Sequence, residues 1–231
     1  MRNEEKLNST NFEFQKNFGL EYRDNTKFDK PNNILKTGTT TVGLTCKDAV
    51  ILGTDKRASM AYFVASKTSE KLYKIQDHLY ITTAGGVADN QYLVDVLRAE
   101  TTIFQLAHEG KPILVKSAGK LLSNILYANK MFPYEVGLIL GGVTESEGPT
   151  LLDIGAYGSI LKEKFCAVGS GQNFSYGVLE AKYKDNLSAE EGKEIVKKAI
   201  TSSIIRDMAS GNGIDLAVIK KDGAEREFIP I

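Results

Sequence analysis

The sequence predicts an α+β domain in which two antiparallel sheets pack face to face and a pair of helices covers each outer face, a four-layer αββα sandwich. Three observations predict it. Segments come in the order strands, two helices, strands, two helices, strands, which is not the alternation of a parallel βαβ fold. The stretch Val136-Gly137-Leu138-Ile139-Leu140 is apolar without alternation, as a strand buried on both faces requires. The helical stretches carry apolar stripes at helical spacing, suited to lying on a sheet.

Strand texture begins at Thr39, with Thr41, Gly43 and Thr45 on one side and Val42, Leu44 and Cys46 on the other. Strands are expected over Thr39 to Cys46 and Ala49 to Thr54, joined by the polar turn Lys47-Asp48. Another is expected over Leu79 to Thr83, ending in Ala84-Gly85-Gly86. A helix is expected from Ala88 to Glu109, apolar at Leu93, Val96, Leu97, Phe104 and Ala107 and closed by Gly110 and Pro112. The next is expected from Pro112 to Lys130 on a stripe from Ile113 to Leu126, with the proline in its first turn. Strands return over Val136 to Val143, Thr150 to Ala156 and Phe165 to Val168, the first two joined by the acidic turn Thr144 to Gly148. A third helix is expected over Phe174 to Tyr183. A fourth starts at Ser188, where Ser188-Ala189-Glu190-Glu191 forms a capping box, and continues past Ile205. Ile214 to Ile219 and Glu227 to Ile231 close the chain as strands around Asp222-Gly223.

Ahead of these elements, Met1 to Leu35 is rich in Asn, Glu and Lys and has no apolar periodicity, so it reads as a loosely held leader. The 231 residues therefore divide into one ordinary domain and that leader. Basic and acidic residues number 29 each, which leaves no net field to draw nucleic acid or an anionic membrane. No apolar run approaches the roughly 18–20 residues that span a bilayer, and the N-terminus lacks the apolar core of a signal peptide. A cytoplasmic protein is expected. Cys46 and Cys166 lie in apolar strand patterns without ligand spacing and read as reduced core residues.

Elimination narrows the chemistry. A Ser–His or Cys–His nucleophile needs a histidine base. The two histidines, His78 in a turn and His108 at the polar end of a helix, both read as solvated surface residues. The same scarcity argues against zinc. No Walker loop occurs, and Gly169-Ser170-Gly171 lacks dinucleotide-binding spacing. No cofactor and no metal is expected. What remains is Gly38-Thr39, where the leader meets the first strand. A cut there leaves a threonine whose free α-amino group, with an ordinary pKa of roughly 8, lies within reach of its own hydroxyl. One residue then supplies both nucleophile and base. A linker entering a strand has the same local texture.

The run Thr39-Thr40-Thr41-Val42-Gly43 is followed in order by Asp55-Lys56-Arg57-Ala58-Ser59, Ser69-Glu70-Lys71-Leu72, Thr83-Ala84-Gly85, Gly169-Ser170-Gly171 and Arg206-Asp207-Met208-Ala209-Ser210-Gly211. Together these resemble a proteasome β subunit of the archaeal type, and the likeness runs from Gly38 to Ile219. The resemblance implies an N-terminal-nucleophile hydrolase, with residues 1–38 a propeptide and 39–231 the catalytic domain. It implies Thr39 as the nucleophile and Lys71 as the lysine beside it, paired with Asp55. It implies Gly85 as the backbone donor to the oxyanion, and Ser170, Asp207 and Ser210 as the polar cluster around the amino group. Asp207 and Ser210 can equally cap the fourth helix. Ala58, Ser69, Thr83 and Val87 match the substrate pocket; small, apolar and without an acidic residue, they suggest acceptance of large apolar side chains.

The same likeness implies self-cleavage, in which the Thr39 hydroxyl attacks the Gly38 carbonyl, glycine letting that carbonyl adopt the turn required. It implies proteasome α subunits and other β subunits as partners in stacked seven-membered rings, an ATP-dependent unfoldase, and unfolded polypeptides as substrates. The leader is longer than the brief pro-segments usual in archaeal relatives, which leaves room for an unprocessed, structural β subunit. A small-molecule amidase of the same nucleophile class is disfavoured by the Lys71 and Arg206-to-Gly211 motifs.

Overall fold

The computed structural model describes residues 38–231; the reading of the leader as loosely held, and of residues 1–37 as the bulk of a propeptide, lies outside the described residues. The elements are β1 (Thr40–Thr45), β2 (Val50–Asp55), β3 (Ala58–Met60), β4 (Phe63–Ser66), β5 (Leu72–Gln76) and β6 (Leu79–Gly85). Two helices follow, α1 (Val87–Ala107) and α2 (Val115–Ala128). Then come β7 (Val136–Thr144), β8 (Gly148–Gly155), β9 (Ile160–Lys162) and β10 (Phe165–Gly169). The chain ends with α3 (Gln172–Lys182), α4 (Ala189–Arg206), β11 (Ile214–Lys220) and β12 (Gly223–Ile229).

Two five-stranded sheets result, ordered β10-β1-β2-β11-β12 and β5-β6-β7-β8-β9, with β3-β4 as a separate hairpin. All their pairings are antiparallel. Side chains on a strand alternate between faces, so each central strand feeds two cores. On β2, Val50 and Leu52 enter the core between the sheets while Ile51 turns to the helices. On β7, Ile139 and Val143 face the other sheet while Leu138 and Leu140 meet α1 and α2. On β11, Ala217 and Ile219 point inward and Leu216 and Val218 outward. Three apolar layers between four structural layers give the αββα sandwich, and each fully buried Leu or Ile in them contributes roughly 1.5–3 kcal/mol.

Several local expectations are corrected. Pro112 does not start the second helix, which begins at Val115. Its first amide is satisfied from across the fold: the Val115 N–H donates to Glu147 Oε2 at 2.7 Å, and that carboxylate suits the positive end of the helix. The last strand starts at Gly223 rather than Glu227, because β12 pairs with β11 along its whole length. β3, β4, β5 and β9 were not foreseen; each has five residues or fewer, too short for alternation to register. His78 is buried rather than solvated, its Nε2 2.8 Å from the Ile113 carbonyl. His108 is exposed and stacks on Phe104, ring centroids 4.0 Å apart. The capping box at Ser188 forms: the Glu191 N–H donates to Ser188 Oγ at 3.3 Å and the Ser188 N–H to Glu191 Oε2 at 2.9 Å.

A candidate active site at the end of the first strand

Thr39 immediately precedes β1 and is buried. Its neighbour Thr40 pairs with Gly169, whose φ is +111°. A Cβ at Gly169 would lie 2.1 Å from the Thr39 carbonyl oxygen, so only glycine lets β10 approach this closely. The Thr39 hydroxyl donates to the Gly38 carbonyl at 2.7 Å.

Asp55 ends β2 with no exposed surface, and both carboxylate oxygens are fully used. Oδ1 accepts from Lys71 Nζ at 2.7 Å and from the Thr40 N–H at 3.0 Å. Oδ2 accepts from the N–H groups of Arg57 and Gly211, each at 2.9 Å. Lys71, just ahead of β5, also donates to the Arg57 carbonyl. Burial holds the Lys71 ammonium below the ordinary lysine range, and the charge and hydrogen bond of Asp55 restore only part of that loss. A lysine so placed gives up its proton more readily than one in water. The pair is buried on both sides, so removing one partner strands the other in a dry site. Asp55→Ala is therefore expected to destabilise the domain by about 3–5 kcal/mol. Denaturant titration checks this, and an unshifted midpoint would contradict the described burial.

A second group joins from the end of β10 and the loop after α4. Asp207 caps the C-terminus of α4, its N–H donating to the Ser203 carbonyl at 2.7 Å. Its Oδ2 accepts from Ser170 Oγ at 2.6 Å and from Ser210 Oγ at 2.7 Å. With its one proton directed to Asp207, Ser170 Oγ is free to accept the Thr39 N–H at 3.1 Å. Ser210, likewise committed, accepts from the Thr40 hydroxyl at 2.7 Å. Asp207 thus combines the helix cap with its contacts to Ser170 and Ser210. Lys71, Asp55, Thr40, Ser210, Asp207, Ser170 and Thr39 form one unbroken chain of polar contacts.

Beside Thr39 lies a cavity of about 210 Å³, which Ala58, Ser69, Thr83, Gly85 and Val87 all line. Gly85 ends β6 with φ +109°, and a Cβ there would meet the Glu135 carbonyl oxygen at 2.0 Å. Glycine is required by both conformation and space. The expectation of a pocket without an acidic residue is corrected: Glu70 also lines it. Its carboxylate accepts from Arg226 Nη1 at 2.9 Å, and Arg226 is bound in turn to the buried Asp215, so the charge is matched within the wall. Arg226 lies more than a hundred residues downstream on β12, and nothing in the local sequence signals that pairing. Thr40 and the amides of Arg57 and Gly211 were missed for the same reason: their contribution is through backbone or through neighbours distant in sequence.

Among the described residues, no cluster of His, Cys, Asp and Glu could hold a metal ion. Cys46 and Cys166 are free and buried. Burial pushes the Cys46 thiol up to about 12 and Cys166 well above the ordinary range, which leaves both unreactive. No helix among the described residues is long and apolar enough to cross a membrane.

A family model described as "Proteasome subunit" matches residues 35–219. Among curated proteins, the chain is 47% identical to a proteasome subunit beta of Methanocaldococcus vulcanius over 189 residues, 81% of this chain and 84% of that one. It is 48% identical to a proteasome subunit beta of Methanocaldococcus jannaschii with the same coverage. It is 43% identical to a proteasome subunit beta 2 of Aeropyrum pernix over 197 residues, 85% of this chain and 89% of that one.

Proposed function

This chain belongs to the proteasome subunit family, on its β side, and from that premise we propose that it is a self-processed threonine endopeptidase of a 20S-type core particle. One observation carries the reading: a single carboxylate oxygen, Asp55 Oδ1, accepts from both Lys71 Nζ and the Thr40 N–H, which ties a buried lysine to the backbone directly after Thr39.

Removal of residues 1–38 leaves Thr39 with a free amine in front of Ser170 and Asp207. That amine, of ordinary pKa roughly 8, is basic enough to take a proton near neutral pH. Lys71, its proton loosened by burial, helps remove the proton from Thr39 Oγ as the oxygen attacks a peptide carbonyl. The oxyanion that forms accepts from the Gly85 N–H; losing such a donor typically costs about 10²–10³ in rate. The amine then protonates the departing nitrogen, and water hydrolyses the ester to restore Thr39. Asp55 keeps Lys71 oriented, and Ser170, Asp207 and Ser210 hold the amine. No cofactor enters.

The pocket formed by Ala58, Ser69, Thr83 and Val87 takes the residue before the cut. With Glu70 already matched by Arg226, large apolar side chains suit it best, a chymotrypsin-like preference. The substrates are unfolded polypeptides, delivered in the cytoplasm by an ATP-dependent unfoldase. The setting is a chamber of stacked seven-membered rings of β subunits flanked by α subunits.

The deciding experiment is the intact mass of the chain purified in an assembled particle with its α partner, together with hydrolysis of fluorogenic peptides. A mass lacking residues 1–38 and cleavage after large apolar residues are expected. A full-length chain in a complete, inactive particle would instead make this a structural β subunit.

A further inference from the structure

Gly38 is held on three sides, and each side comes from a different part of the fold. Its N–H donates to Ser59 Oγ on β3 at 3.1 Å, in a buried contact. Its carbonyl accepts from the Thr39 hydroxyl at 2.7 Å. Its Cα lies against the loop after α4, so tightly that a Cβ at this position would sit 1.8 Å from Ala209 Cβ. Real Cβ contacts do not come under about 3 Å, so one of the two residues has to be glycine here. The Ser59 side chain is buried and makes no other hydrogen bond among the described residues. Among the described residues its hydroxyl has that one partner, which belongs to the segment that maturation discards.

We propose that Ser59 and Ala209 form a clamp that positions the scissile glycine for self-cleavage, Ser59 by fixing its amide and Ala209 by admitting no side chain. The inference rests on the reading of Thr39 as a self-processing nucleophile. In that step Thr39 Oγ bonds to the Gly38 carbonyl carbon, the Gly38–Thr39 C–N bond breaks, and the hydroxyl proton ends on the Thr39 nitrogen. Water then cleaves the resulting ester, leaving a Gly38 carboxylate and a free Thr39. The attack needs the carbonyl carbon presented to Oγ, and a residue free to turn about its Cα presents it only part of the time. Ser59 acts on the residue before the bond and not on the reacting atoms; it is a positioning residue. Ala209 adds a reason of space to the need for glycine.

The test follows cleavage of the full chain over time, by intact mass, in particles assembled with the α partner. Ser59→Ala is expected to slow loss of residues 1–38 about three- to tenfold, the weight of one buried hydrogen bond. Ser59→Thr, which keeps the hydroxyl, is expected to restore the rate. Gly38→Ala is expected to stay uncut for as long as the wild type takes to finish. Adding Ala209→Gly to Gly38→Ala removes the 1.8 Å collision and is expected to recover cleavage at least tenfold, a rescue that general loosening does not give. Cleavage of Ser59→Ala at the wild-type rate, or no recovery in the double variant, overturns the clamp while self-cleavage stands. A wild-type chain that stays full length in a complete particle overturns self-cleavage itself, and the clamp with it.

Discussion

Replacing Thr39 by alanine is expected to abolish peptide hydrolysis by the assembled particle and to leave the chain at full length. Both losses have one origin. In the proposed mechanism the hydroxyl that attacks substrate is the one that donates to the Gly38 carbonyl at 2.7 Å, so one atom would serve both reactions. Removal of a nucleophile that works with a base as a unit costs on the order of 10⁴–10⁶ in rate. The change takes away a small polar group whose only side-chain hydrogen bond among the described residues is to that carbonyl, so folding and assembly are expected to survive. Particle yield and peptidase rate, measured on the same preparation, separate the two effects. A particle of normal yield that still hydrolyses peptide would remove Thr39 from the mechanism.

Lys71→Ala is expected to block both processing and turnover, with a second effect that the first substitution lacks. Positioned acid–base groups typically contribute about 10²–10⁴ in rate. Here the lysine also neutralises Asp55, which has no exposed surface and would keep only backbone N–H partners. An uncompensated carboxylate in such a site costs about 3–5 kcal/mol. Lys71→Met retains the stem of the side chain and limits the packing loss, so the pair of variants distinguishes chemistry from stability. If the ammonium acts in the reaction, both variants assemble poorly or well but neither matures. Normal maturation of an assembled Lys71→Met particle would reduce the lysine to a structural counter-ion.

The reason these two residues could be singled out from sequence differs from the reason the rest could not. Thr39 stands where a glycine meets a run of strand-forming threonines, a discontinuity visible without any partner. Lys71 and Asp55 carry no such local mark and depend on the family likeness. Gly85 is similar: alone it is a strand ending in a turn, and only the Glu135 carbonyl oxygen, 2.0 Å from where a Cβ would stand, reveals why nothing larger fits. Asp207 reads from sequence as helix cap or site residue; its N–H caps α4 while its Oδ2 accepts from Ser170 and Ser210. A histidine in a polar turn is usually wet, whereas His78 is covered by the segment ahead of the second helix, at the Ile113 carbonyl.

By itself the sequence determined what depends on near neighbours. The apolar run of β7, without alternation, requires a strand buried on both faces. The capping box at Ser188 starts α4, and the order of elements requires two sheets between helix pairs. Binary pattern and local capping are properties of a few consecutive residues, and a chain states them directly. The tertiary structure alone decided what depends on residues brought together from afar. Glu147 caps α2, Arg226 neutralises Glu70 in the pocket wall, and Asp55 gathers Lys71, Thr40, Arg57 and Gly211. Buried polar groups must find partners wherever the fold supplies them, and no spacing along the chain encodes which partner will be within 3 Å.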